Sequence, residues 1–210
     1  MPELALHILD LVQNSVSAGA ARVTVTIVYD TAQDTLTITI EDDGKGMPPE
    51  LLTRVTSPFT TTRTTRKVGL GIPLFKQLAE MCDGELSIQS TVGKGTKTQA
   101  RFRASHMDLP PMGDLKGTVE TLVIACPERP DFCFIYRVDG DEFVFDTASV
   151  RQAVGGLPLN EPEIVGWINI PNTNMNLPVL QHEDNDYYLN HNFEGDYDPN
   201  GLPFMDFRNN

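Results

Sequence analysis

Two runs close together in the chain, ARVTVTIVYD over 21–30 and DTLTITIED over 34–42, alternate apolar and polar residues with period two. In an extended chain successive side chains point to opposite faces, so each run has one apolar face and one polar face. Each reads as a half-buried strand, and the short turn between them makes a pair. A helix precedes the pair. Leu4, Leu6, Ile8, Leu9, Leu11, Val12 and Val16 give it a broad apolar face running to about Ala18, and Gly19 suits its C-terminus.

After the pair, DDGKGM breaks the second strand, and PPELLTRV reads as a short helix with Pro at its start. LGIPLFKQLAEMC has helical apolar spacing at 70, 74, 75, 78 and 81. GELSIQST and TQARFRA read as strands flanking VGKGT. A seam follows at SHMDLPPMGD, where Pro110-Pro111 rules out a continuing central strand. LKGTVETLVIAC then reads as a helix, DFCFIYRVDGDEFVFDT as two strands around an Asp139-Gly140 turn, and TASVRQAVGG as a short helix. These elements form an αββα unit at 106–163. The last 47 residues are rich in Asn, Asp and Pro, with short strands expected at 165–170, 178–181 and 203–207 and a helical turn region at DNDYYLNHNF.

Charge is distributed unevenly. Residues 1–105 hold 11 basic and 11 acidic side chains, residues 106–163 hold 4 and 11, and residues 164–210 hold 1 and 7. The acidic excess lies wholly in the second half, which argues against nucleic acid as a partner, since that needs a basic footprint. Cys82, Cys126 and Cys133 are odd in number and lack metal-ligand spacing, as expected of free thiols in a reducing compartment. The N-terminus lacks the basic start of a signal peptide, and no apolar run reaches the roughly 18 residues of a membrane span. A cytoplasmic location without a membrane partner is the expectation.

Four motifs follow one another. Asp10 and Asn14 share one face of the first helix at i,i+4. An amide oxygen there can ligate Mg²⁺, and a carboxylate one turn earlier can orient or deprotonate a water or hydroxyl. Asp42 stands at a strand end, followed by Gly44 and Gly46, which let backbone approach a ring closely. A carboxylate in an apolar slot can accept a hydrogen bond from the exocyclic amine of adenine. Third, SPFTTTRTTRKVGLGIPL packs five threonines, two arginines and a lysine into Thr60 to Lys67, then runs through Gly69 and Gly71 into a helix. A helix N-terminus is an anion site, so this stretch is suited to closing over phosphate. The fourth is GKGT, where Gly93 and Gly95 bend the chain and Thr96 offers a hydroxyl. Each motif alone is a plausible turn or solvated surface; their order and separation make them one constellation.

That order resembles the nucleotide-binding boxes of the superfamily that includes gyrase, heat-shock chaperone, histidine kinase and mismatch-repair ATPases. The resemblance covers residues 1–105. ALHILDLVQNS, PFTTTRTTRKVGLGIPLFKQ and SHMDLPPMGD are closer still to stand-alone bacterial ATP-binding proteins with a histidine-kinase-like ATPase domain, extending the resemblance to about 163. It implies an α+β fold of the Bergerat type, helices over a mixed sheet, followed by the αββα unit. With the last 47 residues read as a partial, mostly β tail, the expected domains are 1–105, 106–163 and 164–210. ATP and Mg²⁺ are the implied cofactors, and a regulatory protein substrate the implied partner. Asn14 matches the Mg²⁺-holding asparagine, Asp42 the adenine reader, Gly44 and Gly46 its glycines, Gly69 and Gly71 the phosphate-facing end of the lid, and Thr96 the last box's hydroxyl. Thr62, Arg63, Arg66 and Lys67 fall in the lid. Asp10 takes the catalytic position, but the ATPase members carry glutamate there. Only 13 residues precede Asn14, leaving no phosphoacceptor helix pair before it, and His7 reads as structural.

The tail VGWINIPNTNMNLPVLQHEDNDYYLNHNFEGDY resembles the early part of a class B sortase, a cysteine transpeptidase. His182 and His191 do not match its catalytic histidine, and no Cys follows Cys133. With the join near Pro162 to Trp167, the chain reads as a chimeric or misassembled frame or an artificial sequence, or else as a fusion using the tail for docking. The expected function is an Mg-ATP-binding ATPase or protein kinase in bacterial regulation. The alternatives are a nucleotide-gated switch without turnover and an inactive sortase-related chain.

Overall fold

The computed structural model describes residues 3–55, 71–153, 164–169, 176–180 and 197. The chain divides into two compact units. One comprises Met1–Leu122 with Arg129–Phe145, the other Val123–Glu128 with Asp146–Asn210. The expected lid residues Thr62, Arg63, Arg66, Lys67 and Gly69, the strand expected at 203–207 and the helical turn region at 184–193 lie outside the described residues.

The first unit begins with α1 (Leu4–Ser17), then β1 (Arg22–Asp30) and β2 (Thr35–Asp42). Next come α2 (Pro49–Val55), α3 (Gly71–Met81), β3 (Glu85–Thr91) and β4 (Gly95–Arg103). α4 (Leu115–Ala125), β5 (Asp131–Val138) and β6 (Asp141–Asp146) follow. These are the expected elements, with β4 starting three residues earlier than the sequence pattern implies. The strands form one mixed sheet in the order β3-β4-β2-β1-β5-β6. The fold is therefore α+β, helices on a mixed sheet.

Alternation determines which face is buried. Val23, Val25 and Ile27 of β1, Leu36, Ile38 and Ile40 of β2, and Ala100 and Phe102 of β4 all turn inward. Leu4, Ile8, Leu11 and Val12 of α1 and Phe75, Leu78 and Ala79 of α3 are buried as well. Phe75 links the layers. Its ring centroid lies 5.5 Å from His7 on α1 and 5.4 Å from Phe102 on β4. His7 is thus a packing residue, and burial lowers its pKa against the opposing pull of the Asp10 charge.

Two features tie residues beyond 105 to the first part of the chain. β5 pairs in parallel with β1, Val23 opposite Phe132 and Val25 opposite Phe134, so the αββα segment contributes strands to the same sheet. The N-terminus of α1 has no side-chain cap. Its Leu4 and Ala5 N–H groups instead donate to the Pro111 and Met112 carbonyls at 3.1 and 2.8 Å, satisfying donors that a helix start leaves open.

In the second unit α5 (Thr147–Ala153) is followed by β7 (Ile164–Asn169) and β8 (Asn176–Leu180), an antiparallel pair. Among the described residues no helix is long and apolar enough to cross a membrane.

Candidate functional site

Strand register brings the predicted polar residues together. Asp42 pairs with Val23 on one side and Thr96 on the other, and Thr96 pairs with Ser90. Val23 is fully buried, so this row shares the face that carries the core. Asp42 and Thr96 end their strands there, both half-buried. An apolar row thus terminates in a carboxylate and a hydroxyl side by side.

The Asp42 carboxylate is held at both oxygens. Oδ2 accepts from the Ser15 hydroxyl at 2.7 Å, and Oδ1 accepts from the Gly44 N–H at 2.9 Å. Ser15 is buried, one residue after Asn14 on α1. The Ala18 carbonyl at the end of α1 accepts from Lys45 N–H at 3.1 Å. The turn after β2 is therefore fastened to the helix that carries Asp10 and Asn14.

The glycines permit this crowding. A Cβ at Gly44 would stand 2.9 Å from the Ala18 Cβ. Gly46 has φ +64°, and a Cβ there would lie 2.0 Å from the Thr91 carbonyl oxygen. Both glycines let backbone meet protein, not open space. The Lys45 carbonyl accepts from Gly93 N–H at 2.8 Å, joining this turn to the loop before Thr96.

Asp10 and Asn14 are exposed on the same face of α1. At its first residue α3 comes close to Asp10: a Cβ at Gly71 would be 3.3 Å from the Asp10 Cβ and 3.9 Å from Oδ2. Asp10 is thus next to the start of α3, and Ser15, on the same helix, is bonded to Asp42. A depression of about 410 Å³ lies on the other face of the sheet, lined by Thr37, Gln99 and Arg101 among others, and includes none of the predicted residues.

Sequence reasoning missed Ser15 and Ser90. Each occupies an inward slot of an apolar pattern, Ser15 after Ile8, Leu11 and Val12, and Ser90 after Leu86 and Ile88. A lone serine at such a slot is the available signal. Met47 N–H donates to the Ser90 hydroxyl at 2.8 Å, and the Thr96 hydroxyl lies 2.9 Å from it.

The family described as histidine kinase-, DNA gyrase B-, and HSP90-like ATPase matches residues 2–106. The chain belongs to this family. Sporulation kinase C of Bacillus subtilis is 33% identical over 91 residues, which are 43% of this chain and 21% of the kinase. The chain therefore spans about a fifth of that relative. Sortase B of Staphylococcus aureus is 45% identical over 60 residues, 29% of this chain and 25% of the sortase. The solved Aquifex aeolicus MutL ATPase domain complexed with ADP aligns at a TM-score of 0.41 and 16% identity, over 70% of this chain and 63% of that one. All the predicted site residues fall within the stretch matched to the ATPase family.

Proposed function

We propose that this chain binds Mg-ATP on the surface formed by α1, the start of α3 and the strand ends of β2 and β4, and that it serves as an ATPase or protein kinase in bacterial regulation. The observation carrying this reading is the Asp42–Thr96 pair at the end of the apolar row, braced from α1 by Ser15. A flat ring set there would lie against apolar side chains, with acceptors at its exocyclic amine. Membership of the ATPase family supports the same ligand.

From that base position, α1 leads to Asn14 and then Asp10, and Asp10 meets Gly71 where the chain enters α3. The oxygen donors there suit Mg²⁺, a hard cation that keeps waters and substrate phosphates around it. The amide oxygen of Asn14, exposed on α1, would hold it together with phosphate oxygens. Bound Mg²⁺ supplies charge neutralisation at the phosphates. Asp10 orients a water or hydroxyl next to them. A regulatory protein as phosphoacceptor or partner belongs to the same proposal.

A second reading, a nucleotide-gated switch without turnover, is favoured by Asp10 itself, whose carboxylate is one methylene shorter than the family's glutamate. Calorimetric titration with ATP, with and without Mg²⁺, tests binding. Phosphate release separates the readings. Absence of ATP binding would overturn both.

A further inference from the structure

The two serines around the base slot have no assigned part. Their hydrogen bonds run one way. An ionised carboxylate can only accept, so in the 2.7 Å contact with Asp42 Ser15 is the donor. Ser90 has one proton. Its oxygen accepts from Met47 N–H at 2.8 Å and lies 3.1 Å from the Gly95 carbonyl, which can only accept. Ser90 can donate to Gly95, and in that arrangement the 2.9 Å contact with Thr96, in which either hydroxyl can be the donor, uses the Thr96 proton. With the protons so placed, Asp42 and Thr96, neighbours across the β2–β4 register, present lone pairs alone.

Resting on the nucleotide-binding reading, we propose that Ser15 and Ser90 are positioning residues that set base specificity. Ser15 fixes the orientation of the Asp42 carboxylate. Ser90 takes the Thr96 proton out of the slot. Together they make the slot a pure acceptor, selecting a purine that bears an amine at position 6 over one that bears an oxo group. Ser15 is buried and sits on the helix that carries Asn14, so base reading and phosphate binding share one rigid element.

The test is calorimetry on the full chain with three probes: ATP, inosine triphosphate, and purine riboside triphosphate, which has neither group at position 6. The parent should rank them in the order ATP, purine riboside, inosine. In Ser15→Ala the ATP preference over the purine riboside nucleotide should fall about fivefold or more, because a hydrogen bond to a charged group is lost. Purine riboside binding should stay within about twofold, since that ligand makes no amine contact. Ser15→Thr should restore the preference. In Ser90→Ala the Thr96 proton is released, and inosine triphosphate should gain on the purine riboside nucleotide.

An unchanged preference in Ser15→Ala overturns the proposal, as does an equal loss of all three nucleotides, which marks a purely structural role. Should Ser15→Ala fail to fold, the Ser90→Ala arm decides, and no gain for inosine triphosphate overturns it. Asp42→Asn separates the two levels of inference: if it keeps the parental preference, the base slot itself is misassigned, and a parent that takes no nucleotide overturns both.

Discussion

At the scale of single residues, the candidate site is built of polar groups placed where an apolar pattern ends. Asp42 closes the inward series Leu36, Ile38, Ile40. Asp42→Asn keeps the shape but presents an amide N–H where the ligand also donates. A mispaired buried group costs roughly 1–3 kcal/mol, so ATP affinity should fall about tenfold to hundredfold in a calorimetric titration. Parental affinity in that variant would remove Asp42 from the site. On α1, Asn14→Ala should abolish the Mg²⁺ dependence of nucleotide binding, whereas Asp10→Ala should spare binding and remove any phosphate release. Full turnover in Asp10→Ala excludes it as the base, and undiminished Mg²⁺ dependence in Asn14→Ala excludes it as the ligand. Asp10, Asn14, Asp42 and Thr96 could be picked out from sequence because each is a polar residue at a helical spacing or a strand end. Ser15 and Ser90 could not be assigned a part, because hydrogen-bond direction depends on which strands lie in register.

At the scale of elements, the packing of α1 against α3 carries a pH signature. His7 is stacked on Phe75, and burial lowers its pKa below 6.5. The unfolded chain then takes up a proton more readily than the folded one. Stability is complete above about pH 6.5 and is lost as the pH falls from there toward the folded pKa. The urea midpoint of the parent should drop on that acidic arm, and His7→Phe should flatten it. Identical pH profiles for the two proteins would rule out His7 as the source. The helices and the β1–β2 pair were legible because their patterns are strong and local. The earlier start of β4 was not: Gly95 and Thr96 look like turn residues until register sets them opposite Thr91 and Ser90.

At the scale of the molecule, the informative feature is β5. Local pattern showed that it is a strand, but not that it lies beside β1. That pairing joins residues more than a hundred positions apart, such as Arg22 and Asp131. Cutting the chain after residue 105 removes β5 and also the carbonyls that accept from Leu4 and Ala5. β1 would become an open edge. A fragment of residues 1–105 should therefore unfold at lower urea than residues 1–146, and expose more surface to association. Equal midpoints and equal dispersity for the two fragments would refute this. Time enters as well. Synthesis proceeds from the N-terminus at about 5–20 residues per second, so β1 leaves the ribosome several seconds before its parallel neighbour. Throughout that interval the nascent sheet has an unpaired side, and closing it requires a long loop to be ordered before any of its contacts form. The order in which the chain is made thus leaves the β1 edge open until β5 has emerged.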